Sequence, residues 1–414
     1  MRILYNIGIQ FYHFMVKLLS PFNKQASMLS RGRSEVWDKI DSLTLRDKVI
    51  WVHCASLGEF EQGRPLIEAI RTKKPDCSIV LTFFSPSGYE IRKNYDMVDV
   101  VLYLPADTKK NAHRFISVIK PTAVFFVKYE FWFHYFNELK RANIPLFSVS
   151  SIFRENQIFF KWYGSWFRKT LQCVTKFYVQ DETSGELLKS LGIDHFIVAG
   201  DTRFDRVASI AKSAADVPLA ETFARGAKVL VAGSTWPPDE EILASYINQS
   251  SPSEKFIIAP HQIHDSHIRQ IEERLSVPTI RFTKTENGEL PSEAKVLIID
   301  TIGMLSAIYR YGSVAYIGGG FGKGIHNTLE AATYGMPVVF GPKYKKFKEA
   351  VDLINEGGGF AIQEEKDFFE LMSRFWGDGD GNELERSGKA AASYVNRMLG
   401  ATDKIIEEIQ DLET

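Results

Sequence analysis

Cysteine is scarce in this chain. Cys54, Cys77 and Cys173 are odd in number and show no CxxC spacing, which fits ordinary thiols in a reducing compartment and excludes a disulfide frame or a cysteine zinc site. An excess of charge of one sign is also missing. The net charge of −1 gives no reason to expect nucleic acid as a partner, so any preference for anions must come from local sites. A GxxxxGK[ST] phosphate loop is absent, as is GxGxxG at the dinucleotide position. No carboxylate cluster of the DxD type occurs outside the Gly/Asp run at 377–381. His261, His264 and His267 are spaced i, i+3, i+6 and do not share one helix face, so no metal is expected. There is no short-period repeat, and no low-complexity tract beyond a Gly/Asp run at 377–381.

What is present is a folded globular composition, 45% hydrophobic and 24% charged. A length of 414 residues favours two domains over one core. Aromatic content is high, with 30 Phe, which invites a search for apolar surface used on a ligand or bilayer.

In the first twenty residues Ile3, Ile7, Phe11, Phe14 and Leu18 recur at helical spacing. Asn6, Gln10, His13 and Lys17 recur on the other side. No small-residue cleavage site follows, which argues against a secretory signal. About 18 residues at ~1.5 Å each barely cross a hydrocarbon core of ~30 Å, so the pattern favours a helix lying in the membrane plane over a single N-terminal span or a helix packed on its own protein. Lys24, Arg31 and Arg33 follow and suit anionic headgroups. The stretch 159–169 mixes aromatics with cations, as a bilayer surface, a glycolipid site or a core helix with snorkelling lysines would.

From residue 48 apolar runs alternate with helical stretches, the pattern of a parallel sheet covered on both faces. Strands are expected at 50–55, 79–84, 98–104, 121–127, 145–150, 176–180 and 196–199. A helix-prone junction at 206–226 follows. The alternation then restarts at 228–232, 255–259, 295–299, 313–317 and 337–340, with helix from 380 to 412. The expected class is α/β, two Rossmann-like domains facing a cleft. The expected boundaries are 1–34 for a membrane-associated helix and basic linker, 35–215 for an acceptor-binding domain and 216–414 for a nucleotide-binding domain.

Strand exits carry the candidate chemistry, because open α/β sheets bind ligands outside the carboxyl ends of their strands. Trp51–Cys54 breaks into Ala-Ser-Leu-Gly, and Glu59 opens the next helix. This carboxylate is a candidate general base or an ordinary helix-start Glu. Glu130 stands at another exit and either shares that work or serves the following helix start. In the second half Ser234 and Thr235, Pro260 and His261, Ile302, Gly303 and Met304, and the glycine loop around Gly319 follow successive strands. Glycines let backbone approach a ligand, and helix starts attract phosphate; tight turns in a doubly wound sheet would need the same glycines. Glu330 could accept from a ribose diol or be merely solvated.

Taken in order, the segments His53–Glu59, Glu130-Phe-Trp132, Gly233-Ser-Thr235, Ala259-Pro-His261, Asp300–Gly303, His326–Glu330 and Gly341-Pro342 with Phe347-Lys348 resemble the 3-deoxy-D-manno-octulosonic acid (Kdo) transferases of Gram-negative lipopolysaccharide synthesis, a GT-B-type glycosyltransferase family. The resemblance spans most of the chain. It implies CMP-Kdo as donor and a lipid A precursor as acceptor, met at the cytoplasmic face of the inner membrane. It implies inversion at the anomeric carbon without a metal or other cofactor. Glu59 matches the family's base. Pro260, His261, Ile302, Gly303, Met304, Asn327, Thr328, Leu329 and Glu330 fall on its CMP-binding segments. The chain departs from the family pattern at His261 (usually Arg), Met304 (often Glu), Thr328 (Pro) and Lys346 (Asn). Lys323, Lys343 or Lys345 could replace the lost charge. Outside the resemblance, a UDP-sugar epimerase, a UDP-dependent glycosyltransferase or a non-catalytic glycolipid-binding protein would carry a similar outline.

Overall fold

The computed structural model describes residues 1–285, 291, 293–377 and 382–410. The chain forms two compact units, Met1–Arg206 with Leu399–Thr414, and Val207–Met398. Each is built on one parallel sheet of seven strands.

The first sheet contains β1 (Val49–Cys54), β2 (Ser78–Phe83), β3 (Val100–Tyr103), β4 (Ala123–Val127), β5 (Leu146–Ser151), β6 (Lys176–Val179) and β7 (Phe196–Val198). Their order is β3-β2-β1-β4-β5-β6-β7. β1, β2, β4 and β5 are buried along their whole length, as their continuous apolar runs require when helices cover both faces. The second sheet contains β8 (Lys228–Thr235), β9 (Glu254–Pro260), β10 (Thr279–Arg281), β11 (Val296–Ile298), β12 (Val314–Ile317), β13 (Val338–Phe340) and β14 (Gly359–Ala361). Its order is β10-β11-β9-β8-β12-β13-β14. Both sheets reverse beside their first strand, but the second places β10 at its edge, outside β11.

Several expectations from sequence change. β10 and β14 carry too few apolar residues to stand out. β8 runs through Gly233, Ser234 and Thr235, which the sequence placed beyond the strand. It does so by a bulge, with Ser234 at φ 55°. The boundary at 34 would cut the helix Lys24–Asp41, which is continuous, capped by Asn23, and buries Val36 and Ile40. The junction falls at 206 and 207. The terminal helix Ala401–Gln410, assigned from sequence to the second domain, buries Ile405 and Ile406 in the core of the first. Gly400, at φ 97°, separates it from the helix Asn382–Arg397. The Gly/Asp residues 378–381 lie outside the described residues.

The first helix, Arg2–Leu19, is turned in an unexpected sense. The face on the protein holds Tyr5, Ile9, His13 and Val16, whereas Asn6, Gln10 and Lys17 of the polar stripe stay largely exposed. Tyr5 donates to Asp107 Oδ2 at 2.5 Å, Asn6 meets His134 Nε2 at 2.7 Å, and Val16 is buried. The apolar stripe points outward, with Ile3 72%, Ile7 58%, Phe11 62% and Phe14 60% exposed. No helix among the described residues is long and apolar enough to cross a membrane. The aromatic stretch after residue 158 divides by role. Phe159 is buried and Trp166 stacks on Phe133 at 4.4 Å, whereas Trp162 and Tyr163 are exposed.

Candidate functional site

In the first sheet β1 is flanked by β2 and β4, so the winding reverses between β1 and β4. A crevice opens at the carboxyl end of such a switch point. Both sequence-predicted carboxylates sit there, Glu59 after β1 and Glu130 after β4. Ser56 leaves β1 in extended backbone and caps the helix Leu57–Lys73, its Oγ accepting from Gly58 N at 3.2 Å. The same hydroxyl donates its proton to Glu59 Oε2. Glu59 lies in the first turn, where the helix end favours a carboxylate. One serine therefore shapes the turn and aims the acid.

Glu130 is held differently. Its Oε2 accepts from Trp132 Nε1 at 2.7 Å and stands 3.5 Å from His53 Nε2. Behind His53, Thr82 Oγ1 lies 2.8 Å from Nδ1 and accepts from Trp51 Nε1 at 2.8 Å. Thr82 and His53 are fully buried, so the threonine proton needs an acceptor, and Nδ1 supplies one. That places the imidazole proton on Nε2, pointing at Glu130. Helix-start duty, the other role expected for Glu130, falls to Asp107. This side chain accepts from the amides of His134 and Tyr135 at 3.0 Å each, at the start of the helix Phe133–Arg141. Burial pushes the Asp107 carboxyl above its ordinary range, against the pull of these donors. Asp107, Thr82 and Trp51 escaped the sequence reading because each acts on residues distant in the chain.

The second sheet has its switch point between β8 and β12. Gly318 lies so close to β8 that a Cβ there would stand 2.3 Å from Ser234 O and 2.6 Å from Thr235 Cα. Buried Asp239 ties the rim together, accepting from Trp236 N, Gly319 N and Tyr316 Oη at 2.9 Å each. The Gly319 amide is thus committed within the protein. Thr235 Oγ1 donates to Glu240 at 3.0 Å. Trp236, which the sequence did not mark, stacks on His261 at 4.5 Å, and His261 lies 4.6 Å from His326. Trp236 Nε1 donates to His326 Nε2 at 3.1 Å. Burial first, and then nearby His261, pushes the His326 pKa down. Of the predicted residues, His261 thus enters an aromatic cluster with Trp236 and His326.

The remaining predicted residues line the same edge of the sheet. Thr328 is buried, and its hydroxyl has no hydrogen-bond partner. Glu330 accepts from Asn327 Nδ2 at 3.0 Å and from Ser306 Oγ. A carboxylate has about four lone-pair positions, so room remains for a diol. The Asn327 carbonyl accepts from Leu329 N. Ile302 is 86% exposed, Gly303 turns at φ 91°, and Met304 precedes the helix Leu305–Ile308. Lys343 donates to Gly322 O at 2.8 Å and Lys346 to Lys323 O at 2.7 Å, so both cations brace the glycine loop. Among the described residues no cluster of His, Cys, Asp and Glu could hold a metal.

Residues 30–206 match the family model for the 3-deoxy-D-manno-octulosonic-acid transferases (kdotransferases). The chain is 27% identical over 332 residues to a 3-deoxy-D-manno-octulosonic acid transferase of Aquifex aeolicus, covering 78% of this chain and 85% of that protein. It is 25% identical over 373 residues to the enzyme of the same name from Haemophilus influenzae, covering 86% of each. In fold it resembles the UDP-GlcNAc 2-epimerase of Neisseria meningitidis, solved with UDP-GlcNAc, at a TM-score of 0.62 and 16% identity over 88% of this chain and 100% of that one.

Proposed function

Residues 30–206 match the Kdo transferase model and most of the chain is similar to Kdo transferases, on a two-domain α/β fold; we propose that it is a glycosyltransferase of that family and transfers Kdo from CMP-Kdo to a lipid A precursor at the cytoplasmic face of the inner membrane. The observation that carries this reading is Glu59, fixed by Ser56 at the switch point of the first sheet.

The chemistry needs a base and little else from the protein. The acceptor hydroxyl oxygen attacks the anomeric carbon of Kdo from the face opposite the phosphate. Its proton passes to the Glu59 carboxylate. The bond between that carbon and the phosphate oxygen breaks, and CMP leaves with the electron pair. The configuration inverts. CMP is a good leaving group, so no strong general acid and no metal is assigned a step. Glu130, held by Trp132 and His53, orients the acceptor. In the second domain Ser234, His261 and the loop around Gly319 take the phosphate, and Glu330 takes the ribose. The exposed stripe of the first helix supports peripheral attachment to the membrane.

Glu59→Gln tests the assignment. Loss of a general base costs about 10²–10⁴-fold in turnover, whereas CMP affinity in the second domain should hold. Turnover within tenfold of wild type would sink the role given to Glu59. Competition by CMP but not UDP is expected, and the reverse would point to a uridine donor.

A further inference from the structure

Arg33, within the helix Lys24–Asp41, is 7% exposed. Among the described residues no carboxylate pairs with it, and its Nε is buried without an acceptor. The guanidinium lies 4.7 Å from the Phe84 ring and 6.0 Å from the Tyr12 ring. Contact with aromatic faces is weaker than the cost of burying an ion. Burial accordingly pushes the Arg33 pKa down. A buried cation without a counter-ion is accounted for if an anion enters from outside.

The surroundings favour that. Arg33 lines a cavity of about 270 Å³ together with His13, Gln10, Trp37, Thr108 and Asn111, and the lining contains no Asp or Glu. Thr108 caps the helix Lys109–Ile119, so the positive end of an 11-residue helix forms part of the wall. Neighbouring Asp107 has its oxygens on Tyr5, His134 and Tyr135. His13 Nδ1 is a second buried polar atom without a partner. The cavity is below the size of most drug-sized sites, about 300–1,000 Å³, and suits a headgroup.

Beside the cavity the first helix exposes an apolar stripe of Ile3, Ile7, Phe11 and Phe14, bordered by Gln10. A cationic cavity and an apolar stripe therefore meet at one side chain. We propose that the Arg33 cavity binds the phosphate of an amphiphile whose hydrocarbon lies along the stripe on the first helix. Phe84 stacks on Trp132 at 5.1 Å, and Trp132 holds Glu130. The phosphate thus sits one aromatic pair away from the carboxylate assigned to the acceptor.

Melting of the full chain with inorganic phosphate, dihexanoyl phosphatidic acid or dihexanoylglycerol tests this without any turnover, so it stands apart from the transferase reading. The phosphatidic acid should raise the wild-type melting temperature most, phosphate less, and the glyceride little. Arg33→Met should melt no lower than wild type without ligand and respond to none of them. Phe11→Gln, at an exposed position, should keep the phosphate response and lose the extra gain from the lipid. Equal responses from Arg33→Met and wild type would overturn the anion site. Phosphate acting as strongly as the lipid, or Phe11→Gln keeping the lipid gain, would overturn the amphiphile. If the ligand is the acceptor itself, Arg33→Met raises the acceptor KM about tenfold with the donor KM unchanged. If it is bilayer phospholipid, the acceptor KM holds and sedimentation with phosphatidylglycerol vesicles falls. Neither change, with wild-type melting unmoved by phosphatidic acid, removes the proposal.

Discussion

His53 Nε2 faces Glu130 Oε2 at 3.5 Å, and among the described residues the other polar contact of the imidazole is Thr82, on the neighbouring strand. The threonine thereby decides which ring nitrogen carries the proton that meets the carboxylate. Thr82→Val keeps the shape and removes the hydroxyl. It leaves Trp51 Nε1 and His53 Nδ1 without a partner, at a cost of about 1–3 kcal/mol each. We expect kcat to fall about tenfold or more with the donor KM unchanged, and Thr82→Ser to restore it. Nitrogen chemical shifts of the imidazole should report a changed tautomer in Thr82→Val alone. If Thr82→Val unfolds the domain without any tautomer change, the threonine serves packing only.

The first helix calls for substitution and not deletion. Its outward stripe touches little protein, so Phe11→Glu with Phe14→Glu should leave melting within about 0.5 kcal/mol of wild type and abolish binding to anionic vesicles. Removal of residues 1–20 would strip Tyr5 from Asp107, Asn6 from His134 and Val16 from the core. The truncated chain should therefore lose several kcal/mol, at roughly 1–3 kcal/mol for each buried polar group left unpaired. Melting curves of both variants decide the point.

Gly318→Ala should separate β8 from the loop after β12, because the added methyl meets backbone at 2.3 Å and 2.6 Å and not a yielding side chain. Overpacking of this kind costs about 1–3 kcal/mol. CMP binding measured by calorimetry should weaken far more than stability does, since Ser234 and the glycine loop move apart. A variant that binds CMP as wild type does would place the nucleotide elsewhere.

His326 sets an acid limit. Its folded pKa is below the ordinary histidine value of about 6.5, so the unfolded chain binds the proton first. As pH falls through about 6.5 toward the lowered folded value, the unfolded state gains protons that the native state refuses, and stability falls. It is regained as pH rises. His326→Gln keeps an acceptor for Trp236 Nε1 and cannot titrate. Denaturant unfolding between pH 5 and 8 should show a weaker acid loss in this variant, with the two proteins converging toward neutral pH.

Much of the scaffold is legible in the sequence. Long apolar runs such as Ile50–Cys54 and Ala123–Val127 announce buried parallel strands, and a Ser two residues before Gly58 marks a helix start with Glu59 in its first turn. What escapes is whatever depends on a partner remote in the chain. Nothing local tells that Thr82 meets His53, that Asp107 caps the helix after Glu130, or that Trp236 stacks on His261. Three-residue strands such as Gly359–Ala361 are fixed by the neighbour they pair with and not by their own composition. The stripe on the first helix was visible, but a periodic pattern gives two faces without saying which one the protein takes.

The terminal helix Ala401–Gln410 inverts the order in which the two domains can mature. On the ribosome the first sheet is complete by Val198, yet Ile405 and Ile406 belong to its core. The second domain, contiguous from Val207 to Met398, has all its own residues earlier. The domain begun first is therefore finished last, and its apolar side stays uncovered while nearly two hundred further residues are translated (about 10–40 s at ~5–20 residues per second). A chain stopped before residue 401 would carry every residue of the second domain but leave the first without Ile405 and Ile406 in its core.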